Sequence, residues 1–124
     1  MVLRYFGIRV TKLERSVEFY TSLLDLRVVR QGKMLQGGKW ILMQDPRSHQ
    51  RLELNWYPAK SSFAAPYVPG EGLDHIGFKV KNPAAAFKRL IARGARSALV
   101  PTDRTGVRGI YYVKDPDGNW LEFF

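Results

Sequence analysis

The chain has 124 residues, with 20 Lys and Arg against 11 Asp and Glu for a formal charge of +9, two His and no Cys. Disulfide frameworks, thiolate metal sites and cysteine nucleophiles are therefore excluded, while the length suffices for one domain with its own core. At 45% hydrophobic and 25% charged residues the composition is that of a globular chain, with no apolar run near the roughly 18 residues of a membrane span and no signal-peptide layout at Met1-Val2-Leu3-Arg4-Tyr5.

In chain order, the first predicted element is a strand over Tyr5-Phe6-Gly7-Ile8-Arg9-Val10. Alternation puts Phe6, Ile8 and Val10 on one face and Tyr5, Gly7 and Arg9 on the other. Leu13, Val17, Tyr20, Leu23 and Leu24 then recur at helical spacing and predict an amphipathic helix. A strand follows over Trp40–Met43, a turn after Asp45-Pro46, and a strand around Leu52-Glu53-Leu54, whose Glu points away from its apolar neighbours. Residues 58–72, rich in Pro, Gly and Ser, read as a connector.

The order then repeats. His75-Ile76-Gly77-Phe78-Lys79-Val80 matches the first strand position by position at an offset of 70. Asn82-Pro83 is a cap and first-turn proline for a second helix with Phe87, Leu90 and Ile91 on its stripe and Gly94 at its stop. Ile110–Val113 leads to Asp115-Pro116, again 70 residues beyond the first Asp-Pro, and Asp117-Gly118-Asn119 turns the chain into Leu121-Glu122-Phe123. The predicted fold is α+β, a single domain of two tandem βαβββ modules at about 1–57 and 73–124 joined by the linker 58–72.

If each helix covers one face of its sheet, His75 and Glu122 share the opposite face of the second module. Tyr5 and Glu53 stand at the equivalent points of the first. Imidazole and carboxylates together suit Zn, Ni, Co, Mn or Fe(II), so a divalent ion held among these four polar side chains is one expectation. The other is a metal-free pocket in which Arg9 and Lys79 pair with the carboxylates.

These residues carry a resemblance. Arg9-Val10, Leu13-Glu14-Arg15-Ser16, Phe19-Tyr20, Glu53, Gly72-Leu73-Asp74-His75 and Asp115-Pro116-Asp117-Gly118-Asn119 through Glu122 resemble the glyoxalase I, bleomycin-resistance and extradiol dioxygenase family, the vicinal oxygen chelate superfamily. The likeness runs over nearly the whole chain. It implies metal ligands at the start of the first strand and in the last strand of each module, which map to Tyr5, Glu53, His75 and Glu122. Tyr5 departs from the His or Gln usual there, and a phenol titrating near pH 10 is a poor ligand. It reads instead as a wall residue, and a facial triad of two His and one carboxylate is not available. The other histidine, His49, reads as a residue of the turn.

The activity implied is that of glyoxalase I: a metal-dependent lyase or isomerase working through an enediolate, with a low-molecular-weight thiol as co-substrate and Glu122 as proton carrier. Arg9 matches an arginine that contacts the carboxylate of glutathione, or else pairs with Glu53. Tyr57 stands where an Asn is frequent. Tyr5, Arg9, Trp56 and Tyr57 are the candidate substrate-binding residues. A binding or resistance protein without chemistry and a ring-cleaving dioxygenase are the competing readings. The basic charge is spread over both halves with never more than two Lys or Arg adjoining, which fits a field favouring small anions better than a nucleic-acid surface. The expected setting is cytoplasmic, with a homodimer and neither nucleic acid nor membrane as partner.

Overall fold

The structure is a computed structural model that describes residues 4–34, 37–61, 68, 73, 75–99, 109 and 111–124. It divides into two compact units, Met1–Tyr67 and Val68–Phe124. Most of the expected linker 58–72 lies outside the described residues.

The first unit runs β1 (Phe6–Arg9), α1 (Leu13–Ser22), β2 (Arg27–Lys33), β3 (Lys39–Gln44) and β4 (Arg51–Trp56). Its four-stranded sheet has the order β1-β4-β3-β2, with β1 parallel to β4 and the other pairs antiparallel. The second unit repeats this with β5 (His75–Phe78), α2 (Pro83–Ala92), β6 (Arg96–Leu99), β7 (Tyr111–Lys114) and β8 (Trp120–Phe123) in the order β5-β8-β7-β6. The predicted α+β class and the two βαβββ units are thus the observed ones. Even the ladder extensions repeat: the Val10 N–H donates to the Asn55 carbonyl and the Val80 N–H to that of Phe124, each at 2.9 Å.

Each unit buries one sheet face under its helix. In the first, Ile8, Val10, Ile41, Met43, Leu52 and Leu54 are buried together with Leu13, Phe19 and Tyr20, and α1 packs on β4. In the second, Val113, Leu121 and Phe123 lie with Leu90 in the buried set, and Phe87 packs at 5.3 Å on the Tyr111 ring. Three details differ from the expected stripes, one of them Ile91 on α2, which is 36% exposed. Phe6 shares a face with Ile8 yet is 58% exposed, because β1 is an edge strand and α1 packs over β4. On α1, Ser16 is buried where Val17 was expected, its hydroxyl donating to the Lys12 carbonyl, and Leu23 and Leu24 fall beyond the helix end. A small residue between Leu13 and Tyr20 lets the helix approach the sheet closely.

The helix starts are unequal. Asn82 caps α2 as expected, its Oδ1 accepting from the Ala85 N–H at 3.0 Å, with Pro83 in the first turn and Gly94 (φ +92°) beyond the end. Lys12 stands at the N-cap of α1 and makes no capping bond. Among the described residues no helix is long and apolar enough to cross a membrane.

Candidate functional site

The chemistry sits on the sheet faces opposite the helices. In the second unit, alternation along β5 and β8 and the register pairs Gly77 with Glu122 and His75 with Trp120 turn His75, Trp120 and Glu122 to that face. Register also pairs Tyr112 with Glu122 across β7 and β8. His75 Nε2 lies 3.3 Å from Glu122 Oε2. The Tyr112 hydroxyl donates to the other oxygen, Oε1, at 2.8 Å. The imidazole is 36% exposed and the carboxylate 15%, so a ligand can reach the first while the second stays sheltered.

Aromatic rings frame this pair. Tyr112 meets His75 edge-on with centroids 6.0 Å apart and packs at 5.5 Å against Trp120, over which the Lys114 ammonium lies at 5.8 Å. Gly77 keeps the floor low: a Cβ there would come within 3.2 Å of the Phe124 ring and 3.4 Å of Glu122 Oε2.

The first unit presents the equivalent face with different furniture. Gly7 pairs with Glu53 and Arg9 with Asn55 across β1 and β4, and Leu42 pairs with Glu53 across β3 and β4. Glu53 is half-buried, and the Arg9 guanidinium lies 5.8 Å from the centroid of the Tyr57 ring. Tyr5, just before β1, is 46% exposed. Trp56 is three residues from Glu53 and so turns to the helix side. Its indole N–H donates to the Thr11 carbonyl at 3.1 Å, in a groove shared with Lys12, Arg15 and Lys39. Trp56 therefore lies on the opposite face of its strand from Glu53, Asn55 and Tyr57. His49 occupies the turn after Asp45 at φ 60°, exposed, its Nδ1 2.9 Å from Gln44 Nε2.

The donor set can be tested for a divalent ion. Among the described residues no three of His, Asp and Glu gather closely enough to hold one; the second unit contributes a pair, and Glu53 belongs to the first. The pair fits in kind and spacing, since two ligands about 2.0–2.1 Å from a tetrahedral ion lie roughly 3.3 Å apart. The same separation also suits a long hydrogen bond between the two side chains. Sequence reasoning did not assign Tyr112 a role. The signal was present in the alternation of Tyr111-Tyr112-Val113, which sets Tyr112 opposite the buried Val113 and on the Glu122 face.

Comparison with known proteins agrees with this architecture. Residues 2–123 match the model of the Glyoxalase/Bleomycin resistance protein/Dioxygenase superfamily. The chain is 28% identical over 125 residues to a probable trivalent organoarsenical cleaving enzyme of Bacillus subtilis, covering 97% of this chain and 77% of that one. It is 28% identical over 143 residues to a lactoylglutathione lyase of Pseudomonas aeruginosa, covering 98% and 80%. Among solved structures, the trypanothione-dependent glyoxalase I of Leishmania major superposes with a TM-score of 0.78 at 22% identity, over 100% of this chain and 86% of that one, a likeness of fold.

Proposed function

The chain belongs to the Glyoxalase/Bleomycin resistance protein/Dioxygenase superfamily, and from that membership we propose that it is a metal-dependent lyase or isomerase of glyoxalase I type. Its substrate is a small anionic or thiol-conjugated hydroxy-carbonyl compound. The observation that carries this reading is the adjacency of His75 and Glu122 on the open face of the second unit. The proposed metal ligands are Glu53, His75 and Glu122, with Glu122 also the proton carrier.

The bound ion would supply positive charge where the substrate's two neighbouring oxygens become an enediolate. The rest falls to side chains. Glu122 takes the proton from the hydroxyl-bearing carbon and returns it to the neighbouring carbon while the hydroxyl proton passes to the neighbouring oxygen, so that substrate and product are isomers and no oxidant is consumed. With Tyr112 on one oxygen and only 15% of the side chain exposed, Glu122 is sheltered from bulk water that would compete for that proton. Arg9 and Tyr57 form the first unit's binding surface, the guanidinium suited to a carboxylate. Tyr5 lines the wall.

The Bacillus relative's name points to a second chemistry, cleavage of trivalent organoarsenicals. Trivalent arsenic is a soft centre that favours thiolates, and this chain has no Cys. The lyase reading is therefore preferred.

The test is turnover of methylglyoxal with glutathione, or another small thiol, in the presence of Zn, Ni, Co, Mn or Fe(II). Activity with at least one ion is expected, and Glu122→Gln should lower kcat by about 10²–10⁴-fold. No turnover with any ion or thiol would sink the enzyme reading and leave a binding protein of the same fold. We further propose a homodimer whose sites draw on both chains. Mixing Glu53→Gln chains with His75→Ala chains should then restore part of the activity each lacks, and absence of rescue would count against shared sites.

A further inference from the structure

The two units repeat each other closely enough that their differences are informative. At the position 70 residues before Tyr112 stands Leu42, and register pairs each with its unit's carboxylate: Leu42 with Glu53, Tyr112 with Glu122. A leucine offers no hydrogen bond. The tyrosine hydroxyl donates to Glu122 Oε1 at 2.8 Å while Oε2 faces His75 Nε2 at 3.3 Å. The Tyr112 ring is itself gripped, by Trp120 on one side and the His75 edge on another.

We propose that Tyr112 is a positioning residue that occupies one oxygen of Glu122 and so presents the other, in a fixed orientation, beside His75. A free glutamate side chain turns about its last bonds and exchanges its two oxygens. With Oε1 engaged, Glu122 offers a single oxygen to whatever His75 binds. The repeat thereby acquires one held carboxylate and, beside Leu42, one without such a hold. Gly77 leaves the space beside Oε2 open, since a Cβ there would stand in contact with Oε2 at 3.4 Å and press on the Phe124 ring at 3.2 Å. The consequence for metal affinity rests on the lyase reading; the orientation of Glu122 does not.

Tyr112→Phe in the full chain removes the hydroxyl that donates to Glu122 Oε1 and keeps the ring that meets His75, so the ring contact is preserved while the hold on the carboxylate is lost. With only two histidines in the chain, the ring ¹⁵N signals are assigned by their loss in His75→Ala. In the metal-free protein, Tyr112→Phe should move or split the His75 Nε2 signal and leave that of His49 in place. Titration with Co²⁺ should show affinity weakened by about 10-fold, the usual scale for losing a partner of a ligand, and an altered visible spectrum as Glu122 gains freedom to offer both oxygens. Glu122→Asp, whose shorter side chain cannot keep both contacts, gives a second route should the first variant melt poorly, and the same His75 change is expected. Unmoved His75 signals in both variants would overturn the proposal. A wild-type chain that binds no Co²⁺ while its His75 signal still responds to Tyr112→Phe would overturn the metal reading alone.

Discussion

Asp115, fully buried, accepts from the Asp117 and Asn119 N–H groups at 2.9 and 2.8 Å through Oδ1 and from the Asn119 amide at 2.7 Å through Oδ2; Asn119 is buried with it and Asp117 half-buried. Asp45, its counterpart in the first unit, accepts from the Arg47 N–H at 2.9 Å and the Ser48 hydroxyl at 2.7 Å from a half-buried position. The same turn motif therefore carries different weights. Asp115→Ala strands three donors, two of them on buried Asn119, and should cost about 3 kcal/mol in urea unfolding. For Asp45 the bond from the Arg47 N–H, ahead of the Ser48 hydroxyl and the Arg47 charge, holds the carboxyl below the usual carboxylate range. A lowered folded pKa stabilises the native state above the unfolded value, near pH 4, and the contribution disappears as pH falls through the folded one. Compared with Asp45→Asn, the wild type should be modestly more stable at neutral pH, and the gap should close below about pH 4. A gap that widens in acid would contradict this. His49 and Gly118 fill the same left-handed position of the two turns, at φ 60° and 96°.

At the scale of elements, the helix starts give a matched pair of predictions. Asn82→Ala removes the only side-chain cap seen on either helix among the described residues and should lower stability by about 1 kcal/mol. Lys12→Asp should raise it by a comparable amount, roughly 0.5–1 kcal/mol, by supplying a cap and replacing a cation at the positive end of α1. Thermal melts of the two variants should shift in opposite directions. Much of this level was legible in the sequence. The cap, the first-turn proline and the stop of α2 are written in Asn82, Pro83 and Gly94, because each does its work through local backbone geometry. What was not legible needed neighbours in space: Ser16 replaces Val17 on the packed stripe because the sheet beneath favours close approach, and Phe6 is exposed because its strand ends the sheet. The outer strands β2 and β6 have neither a clean alternation nor an apolar run; each ends its sheet, and β2 is exposed along nearly its whole length.

For the molecule as a whole, the candidate site was legible to the extent that it follows from strand parity. His75 and Glu122 fall on one face because alternation and the repeat require it. The Tyr112 bond depends on register between two strands, and the burial of each side chain on the whole unit; neither follows from spacing. The charge of +9 acts at this scale as well. Like charges repel within a compact state, and raising ionic strength from about 0.01 to about 0.1 M shortens their reach from about 30 to about 10 Å. Melting temperature should therefore rise over that range, and a flat or falling profile would show that local ion pairs outweigh the net field.

The ladder irregularity between Val28 and Arg30 on β2 recurs between Ser97 and Leu99 on β6, so the repeat has duplicated its flaw along with its fold. β2 and β6 are both outermost strands, and Val28 and Val29 are 43% and 42% exposed there. An unbroken strand of that kind is a template on which another chain can add its own. The extra residue interrupts the row of free N–H and carbonyl groups and twists it, and Arg27 and Arg30 set positive charge beside the valines. An irregular, positively flanked outermost strand is a poorer template for edge-to-edge addition than a regular one, and each sheet ends on a strand with such an irregularity.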